Sequence, residues 1–133
     1  MNLSRLFAIT LLLFGLAACA TNPATKNSDF VMMSENDELE LGQRAAAEVN
    51  KNIILLDEKD PLVRYVDRVG QKMAAIADRP ELFYRFHVVD DVTVNAFALP
   101  GGYIYMHRGL LNHMNSEAEL AAVLGHEIGH VTA

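Results

Sequence analysis

The chain has 133 residues, one Cys and a formal net charge of −6, from 11 Lys and Arg against 17 Asp and Glu. That length leaves room for one domain at most, and the acidic balance without a Lys/Arg cluster argues against nucleic acid as a partner. A lone Cys excludes an intramolecular disulfide framework and any zinc site built on several thiolates, and 51% hydrophobic content, evenly spread, argues against disorder.

Met1 to Arg5 is short and positively charged, and Leu6 to Ala18 is apolar apart from Thr10 and Gly15. The apolar run falls short of the about 20 residues that a membrane-spanning helix needs. Charge, short apolar run, then small residues is the order of a secretory signal. The run ends in Leu16-Ala17-Ala18-Cys19, which resembles a bacterial lipobox, cut before a Cys that carries lipid. The alternative is an ordinary signal with an incidental Cys. Residues 1–18 are thus expected to be a lipoprotein signal peptide, with Cys19 the lipidated residue and 19–33 a flexible tether rich in Thr, Asn, Ala and Ser. Ala20 follows the Cys with no Asp to signal inner-membrane retention. By resemblance to Gram-negative lipoproteins, this favours the outer membrane, facing the periplasm.

Residues 34–133 carry the folded part. Ser34, with Asp37 three residues later, starts a helix expected over 35–51. Asp60-Pro61 starts a second, whose stripe of Leu62, Val66, Val69, Met73 and Ile76 predicts a helix to about Asp78, stopped by Arg79-Pro80. Phe83 to Val89, rich in aromatic and β-branched residues, reads as a strand. Thr93 to Leu99, Pro100-Gly101-Gly102 and Tyr103 to Met106 read as strand, tight turn, strand. Arg108 to Met114 is a short helical turn. Ser116 with Glu119 forms a capping box that opens a last helix, still running at Ala133. Helices with a small sheet make the expected class α+β.

The last helix contains Gly125-His126-Glu127-Ile128-Gly129-His130, an H-E-x-x-H pattern. At 100° per residue, two His four apart lie about 40° from each other, one turn above the other, so their imidazoles can converge on one ion. Glu127 lies beside that ion, about 100° round. Leu120, Leu124, Ile128 and Val131 occupy a different arc and can face a core while the histidines face a cleft. Ala118, Ala121, Gly125 and Gly129 form a third arc. Glycine inside a helix costs about 1 kcal/mol relative to Ala, so a close approach to the backbone is expected there. Zn²⁺ takes neutral imidazole nitrogen and keeps a position for water whose pKa falls to about 7. Glu127 would take that water's proton and hand it to the leaving amine. The bland alternative is a core helix with two satisfied histidines.

At these residues the chain resembles the HtpX-like zinc metallopeptidases, a gluzincin family. The segments that carry the likeness are Asn95 to Tyr105, Arg108 to Leu111 and Ser116 to Ala133. The lipobox suggests a resemblance to the periplasmic members, including those of BepA-like and LoiP-like type. The resemblance implies a zincin-like domain and one Zn²⁺ per site. His126 and His130 would be ligands and Glu127 the base. Asn95, Ala96, Phe97 and Ala98 would form an edge strand over the cleft, holding extended peptide substrate. Strand addition through main-chain bonds is a physical basis for that. The simpler roles are a turn for Asn95 and core packing for Phe97. Gluzincins take a third ligand, a Glu, from a downstream helix. It is expected beyond Ala133, which makes 34–133 the N-terminal part of a longer domain, inactive and weakly metal-binding by itself.

His87, His107 and His113 lack ligand spacing and read as structural or solvated. Asp90-Asp91 reads as a strand-ending turn, and the acidic first helix as a solvated face. The functions in contention are three. The first is a zinc metalloendopeptidase of the bacterial cell envelope, acting on unfolded or misassembled proteins. The second is a non-catalytic chaperone or assembly factor for outer-membrane proteins. The third is an inactive fragment without a third ligand.

Overall fold

The computed structural model describes residues 33–133, and the antiparallel pairing of Ala20–Thr21 with Ser28–Asp29. That pairing falls within the stretch expected to be a tether. The expected signal peptide over 1–18, the lipidated Cys19 and the rest of the tether lie outside the described residues. Residues Met33–Ala133 form one compact unit.

Local capping sets the start of each long helix. Helix α1 spans Glu35–Asn52, and Ser34 and Asp37 close the expected capping box reciprocally. Helix α2 spans Pro61–Ala74, with the Asp60 carboxylate accepting the Leu62 N–H at 2.8 Å. It ends four residues earlier than its apolar stripe suggests. The Ala75 N–H donates to the Gln71 carbonyl and the Ile76 N–H to the Met73 carbonyl, tightening the last turn, and Ile76 stands 79% exposed rather than on the core.

Strand β1 covers Arg85–Val89 and does not include Phe83. Phe83 is 71% exposed and Arg85 lies between its ring and that of Tyr103, at 4.5 and 4.8 Å. Strand β2 covers Ala96–Leu99, shorter than the expected run from Thr93. Asp91 accepts the Thr93 N–H and hydroxyl at 2.7 and 2.6 Å, and that turn keeps residues 91–95 out of the sheet. Strand β3, Tyr103–His107, follows the Pro100–Gly102 turn, where Gly101 and Gly102 take φ of 74° and 90°. Only glycine adopts such values without strain. Strands β2 and β3 pair antiparallel as expected, from Ala96 opposite Met106 to Leu99 opposite Tyr103. Strand β1 pairs with β3 in parallel, Arg85 opposite Tyr103 to Val89 opposite His107. The order is therefore β1-β3-β2, with β3 central and β2 at an edge.

After the short helix α3, Arg108–Leu111, helix α4 runs over Glu117–Thr132. Phe86, Val88, Ile104 and Met106 on one sheet face meet Val63, Val66 and Val69 of α2 and Leu120, Leu124, Ile128 and Val131 of α4. Each such fully buried aliphatic side chain contributes about 1.5–3 kcal/mol. On the other face the Tyr105 hydroxyl donates to Asn50 of α1 at 3.0 Å. Helices thus lie on both faces of a small mixed sheet, the α+β class expected. Among the described residues no helix is long and apolar enough to cross a membrane.

Candidate metal centre

The site begins with the start of α4. Ser116 Oγ accepts the Glu119 N–H at 3.2 Å, as a capping box requires. The return bond is displaced by one residue, because Glu119 accepts from the Asn115 N–H at 2.8 Å rather than from Ser116. With Leu120, Leu124, Ile128 and Val131 held in the core, helical geometry leaves His126 and His130 on the exposed side.

Their Nε2 atoms lie 3.0 Å apart, and the rings meet edge to face at 4.5 Å between centroids. Two imidazole lone pairs facing each other at that distance repel, and two N–H groups would collide. A neutral pair meets this when one ring donates its Nε2–H to the Nε2 lone pair of the other, and the same convergence of the two nitrogens suits a metal. Zinc bonds to imidazole at about 2.0–2.1 Å with tetrahedral angles set its nitrogens about 3.3 Å apart, a few tenths of an ångström from the observed spacing. The pair therefore fits as two of the ligands of a zinc ion. Among the described residues, no group of three or more His, Cys, Asp and Glu side chains is placed to hold a metal.

Glu127, between the two histidines in sequence, is 7% exposed. No described side-chain polar atom is fully buried without a partner, Glu127 included. Glu127 is not among the residues that line the neighbouring cleft.

A cleft of 250 Å³ lies between β2, the end of α4 and the start of α1. Ala98, Leu99 and Pro100 line it together with His130, Val131, Met33 and Glu38. The edge strand and one of the two histidines thus share a single concavity. Ala96 and Ala98 pack on the core side. Phe97 turns to the opposite face and stacks on Tyr105 at 4.8 Å, so its ring packs while its backbone belongs to the edge. Asn95 precedes the strand, and its carbonyl accepts the His107 N–H at 3.0 Å.

The remaining candidates take local roles. His87 stacks on Tyr105 at 5.0 Å, and burial pushes its pKa below the usual histidine range. His107 Nδ1 lies 2.7 Å from Thr93 Oγ1, and His113 Nδ1 lies 2.7 Å from the Gly109 carbonyl. Bonds from the Thr93 hydroxyl and amide hold Asp91 below the usual carboxylate range, while Asp90 binds Arg108 at 2.6 Å. Glu38 corrects the expectation of a wholly solvated acidic helix. It pairs with Arg79 at 2.9 Å and lines the cleft. Its partner is 41 residues away in sequence, so no local pattern could have found it. Of the two helix glycines expected to admit a close neighbour, Gly125 does so. A Cβ there would lie 3.2 Å from the Met73 methyl, whereas Gly129 has nothing within 4 Å among the described residues.

Comparison with known proteins places these residues in context. The model of peptidase family M48 matches residues 62–133, which include β1, the edge strand and the whole of α4. A putative beta-barrel assembly-enhancing protease of Vibrio cholerae is 43% identical over 74 residues, 55% of this chain and 15% of that protein. The mitochondrial metalloendopeptidase OMA1 of Schizosaccharomyces pombe is 35% identical over 101 residues, 71% of this chain and 30% of its own length. The beta-barrel assembly-enhancing protease of Escherichia coli is 29% identical over 101 residues, 75% of this chain and 20% of that protein. The chain therefore spans less than a third of the length of these relatives.

Proposed function

As this chain belongs to peptidase family M48, we propose that it carries the metal-binding helix and substrate strand of a zinc metalloendopeptidase acting on unfolded or misassembled cell-envelope proteins. The observation that carries this reading is the His126–His130 pair, whose Nε2 atoms stand 3.0 Å apart on the solvent side of a helix anchored in the core. His126 and His130 would hold the zinc, and a third protein ligand is proposed from sequence beyond Ala133. Zinc, when bound, supplies Lewis acidity that makes water acidic near neutral pH and polarises a carbonyl. Glu127 accepts a proton at its carboxylate and returns it to the leaving amine. Ala96 to Ala98 align an extended peptide by main-chain hydrogen bonds along the edge of β2, with Asn95 at the entry to that edge. Folded substrates hide their own edges, and the preference for unfolded chain follows from that.

The names of the relatives, beta-barrel assembly-enhancing protease, support a place in the bacterial envelope and substrates or clients that include outer-membrane proteins. Lipid on Cys19 would tether the domain to the outer membrane on its periplasmic side. The words assembly-enhancing in those names favour a second reading, in which the cleft holds a client without cutting it.

Replacing Glu127 by Gln in the full-length protein separates the two. Zinc content should be retained, while cleavage of an unfolded casein substrate falls at least about 100-fold. Cleavage at the parent rate removes Glu127 from the mechanism. If the parent releases no peptides from the same substrate yet still suppresses aggregation of outer-membrane proteins, the holding function takes its place.

A further inference from the structure

The turn that ends the edge strand is held from outside the sheet. Glu38 of α1 accepts from Arg79 Nη1 at 3.2 and 2.9 Å and from the Gly101 N–H at 3.3 Å. The side chains are largely shielded, Arg79 at 12% and Glu38 at 20% exposure. Arg79 is fixed in turn, because its carbonyl accepts the Tyr84 hydroxyl at 3.1 Å. One helical turn along α1, the backbone at Gly42 lies so close to the turn that a Cβ would sit 2.0 Å from the Pro100 carbonyl oxygen. Glu38 also lines the cleft shared by Ala98, Leu99 and His130. One carboxylate thus connects α1, the segment after α2 and the Pro100–Gly102 turn, at the cleft wall.

We propose that Glu38 and Arg79 are positioning residues that fix the edge strand relative to His130 and so set the alignment of an extended peptide. This rests on the reading of β2 as the substrate strand. Main-chain pairing is sensitive to displacement, because every bond along the added strand shares one register. The brace touches no reacting atom. It acts by denying the turn a second position. Both partners lie on elements that the family's metal-binding helix does not supply: Glu38 lies before the matched residues 62–133, and Arg79 follows α2 within them.

The test uses the full-length protein carrying Glu127→Gln, so that binding is read without turnover. Affinity for a fluorescein-labelled unfolded casein peptide is measured with and without Arg79→Met, beside backbone amide exchange followed by mass spectrometry. The expected results are about tenfold weaker peptide binding and faster exchange confined to residues 96–102, with α4 amides unchanged. Arg79→Lys, which keeps the charge, should recover part of the affinity. Unchanged affinity with Arg79→Met overturns the proposal, as does exchange that rises equally in α2 and α4, since that marks general loosening. If the Glu127→Gln protein binds no peptide at all, the substrate-strand reading fails, and this proposal with it. Unchanged affinity beside faster local exchange removes the positioning role alone.

Discussion

Replacing Gly42 by Ala tests whether α1 and the Pro100–Gly102 turn meet through backbone. The new Cβ would lie 2.0 Å from Pro100 O and 2.8 Å from Pro100 C, where ordinary contacts begin at 3.4 Å. The turn must therefore retreat by about 1.4 Å, which also stretches the Gly101 bond to Glu38. Ala in a helix interior is favoured over Gly by about 1 kcal/mol. Against this stand about 1–3 kcal/mol for overpacking on rigid backbone and about 1 kcal/mol for the lost hydrogen bond. A net loss of about 1–3 kcal/mol follows. Gly125→Ala provides the control. Its Cβ meets only the Met73 methyl at 3.2 Å, the mobile end of a flexible side chain. There the helical gain dominates, and stability rises by up to about 1 kcal/mol. Urea unfolding followed by far-ultraviolet circular dichroism reads both as shifts in midpoint at constant slope. Midpoints that move in the same direction for Gly42→Ala and Gly125→Ala would refute the reasoning.

Two further outcomes follow, one for a half-buried histidine and one for the expected lipid anchor. Burial depresses the pKa of His87, so the unfolded chain binds its proton more readily than the folded one; the contribution to stability is full above the unfolded value near 6.5 and is lost as pH falls through and below it. Glu58 opposes that shift and Arg85 adds to it. His87→Phe keeps a ring against Tyr105, so between pH 7.5 and 5.0 the parent should lose stability relative to the variant in thermal unfolding; parallel pH profiles would exclude the effect. Cys19→Ser should move the full-length protein from the membrane to the soluble fraction on cell fractionation, and continued membrane association would dismiss the lipobox.

What could be read from the sequence was what depends on neighbours a few residues away. Ser34 with Asp37 and Asp60 with Pro61 announce their helices because the capping atoms lie within one turn of each other. His126 and His130 are legible for the same reason, since helical periodicity alone brings residues four apart together. The core arc of Leu120, Leu124, Ile128 and Val131 follows from that period. The failures are all non-local or competitive. Ile76 continues the stripe of α2, yet the last turn closes on Ala75 and leaves it in water. Phe83 has strand propensity, but it is spent on Arg85 outside the sheet. Glu38 looks like one of several solvated acids until Arg79 arrives from a distant segment. The parallel partnership of β1 with β3 left no local mark, because side-chain alternation sets a face and does not name a neighbour.

That sheet order has a temporal side. The middle strand is the last of the three to be synthesised, so β1 and β2 leave the ribosome without the ribbon that joins them. Until His107 has emerged, two short, sticky segments wait with open backbones. A protein whose proposed task is to seize exposed strands in others passes through a stage, early in its own life, at which it offers the same bait.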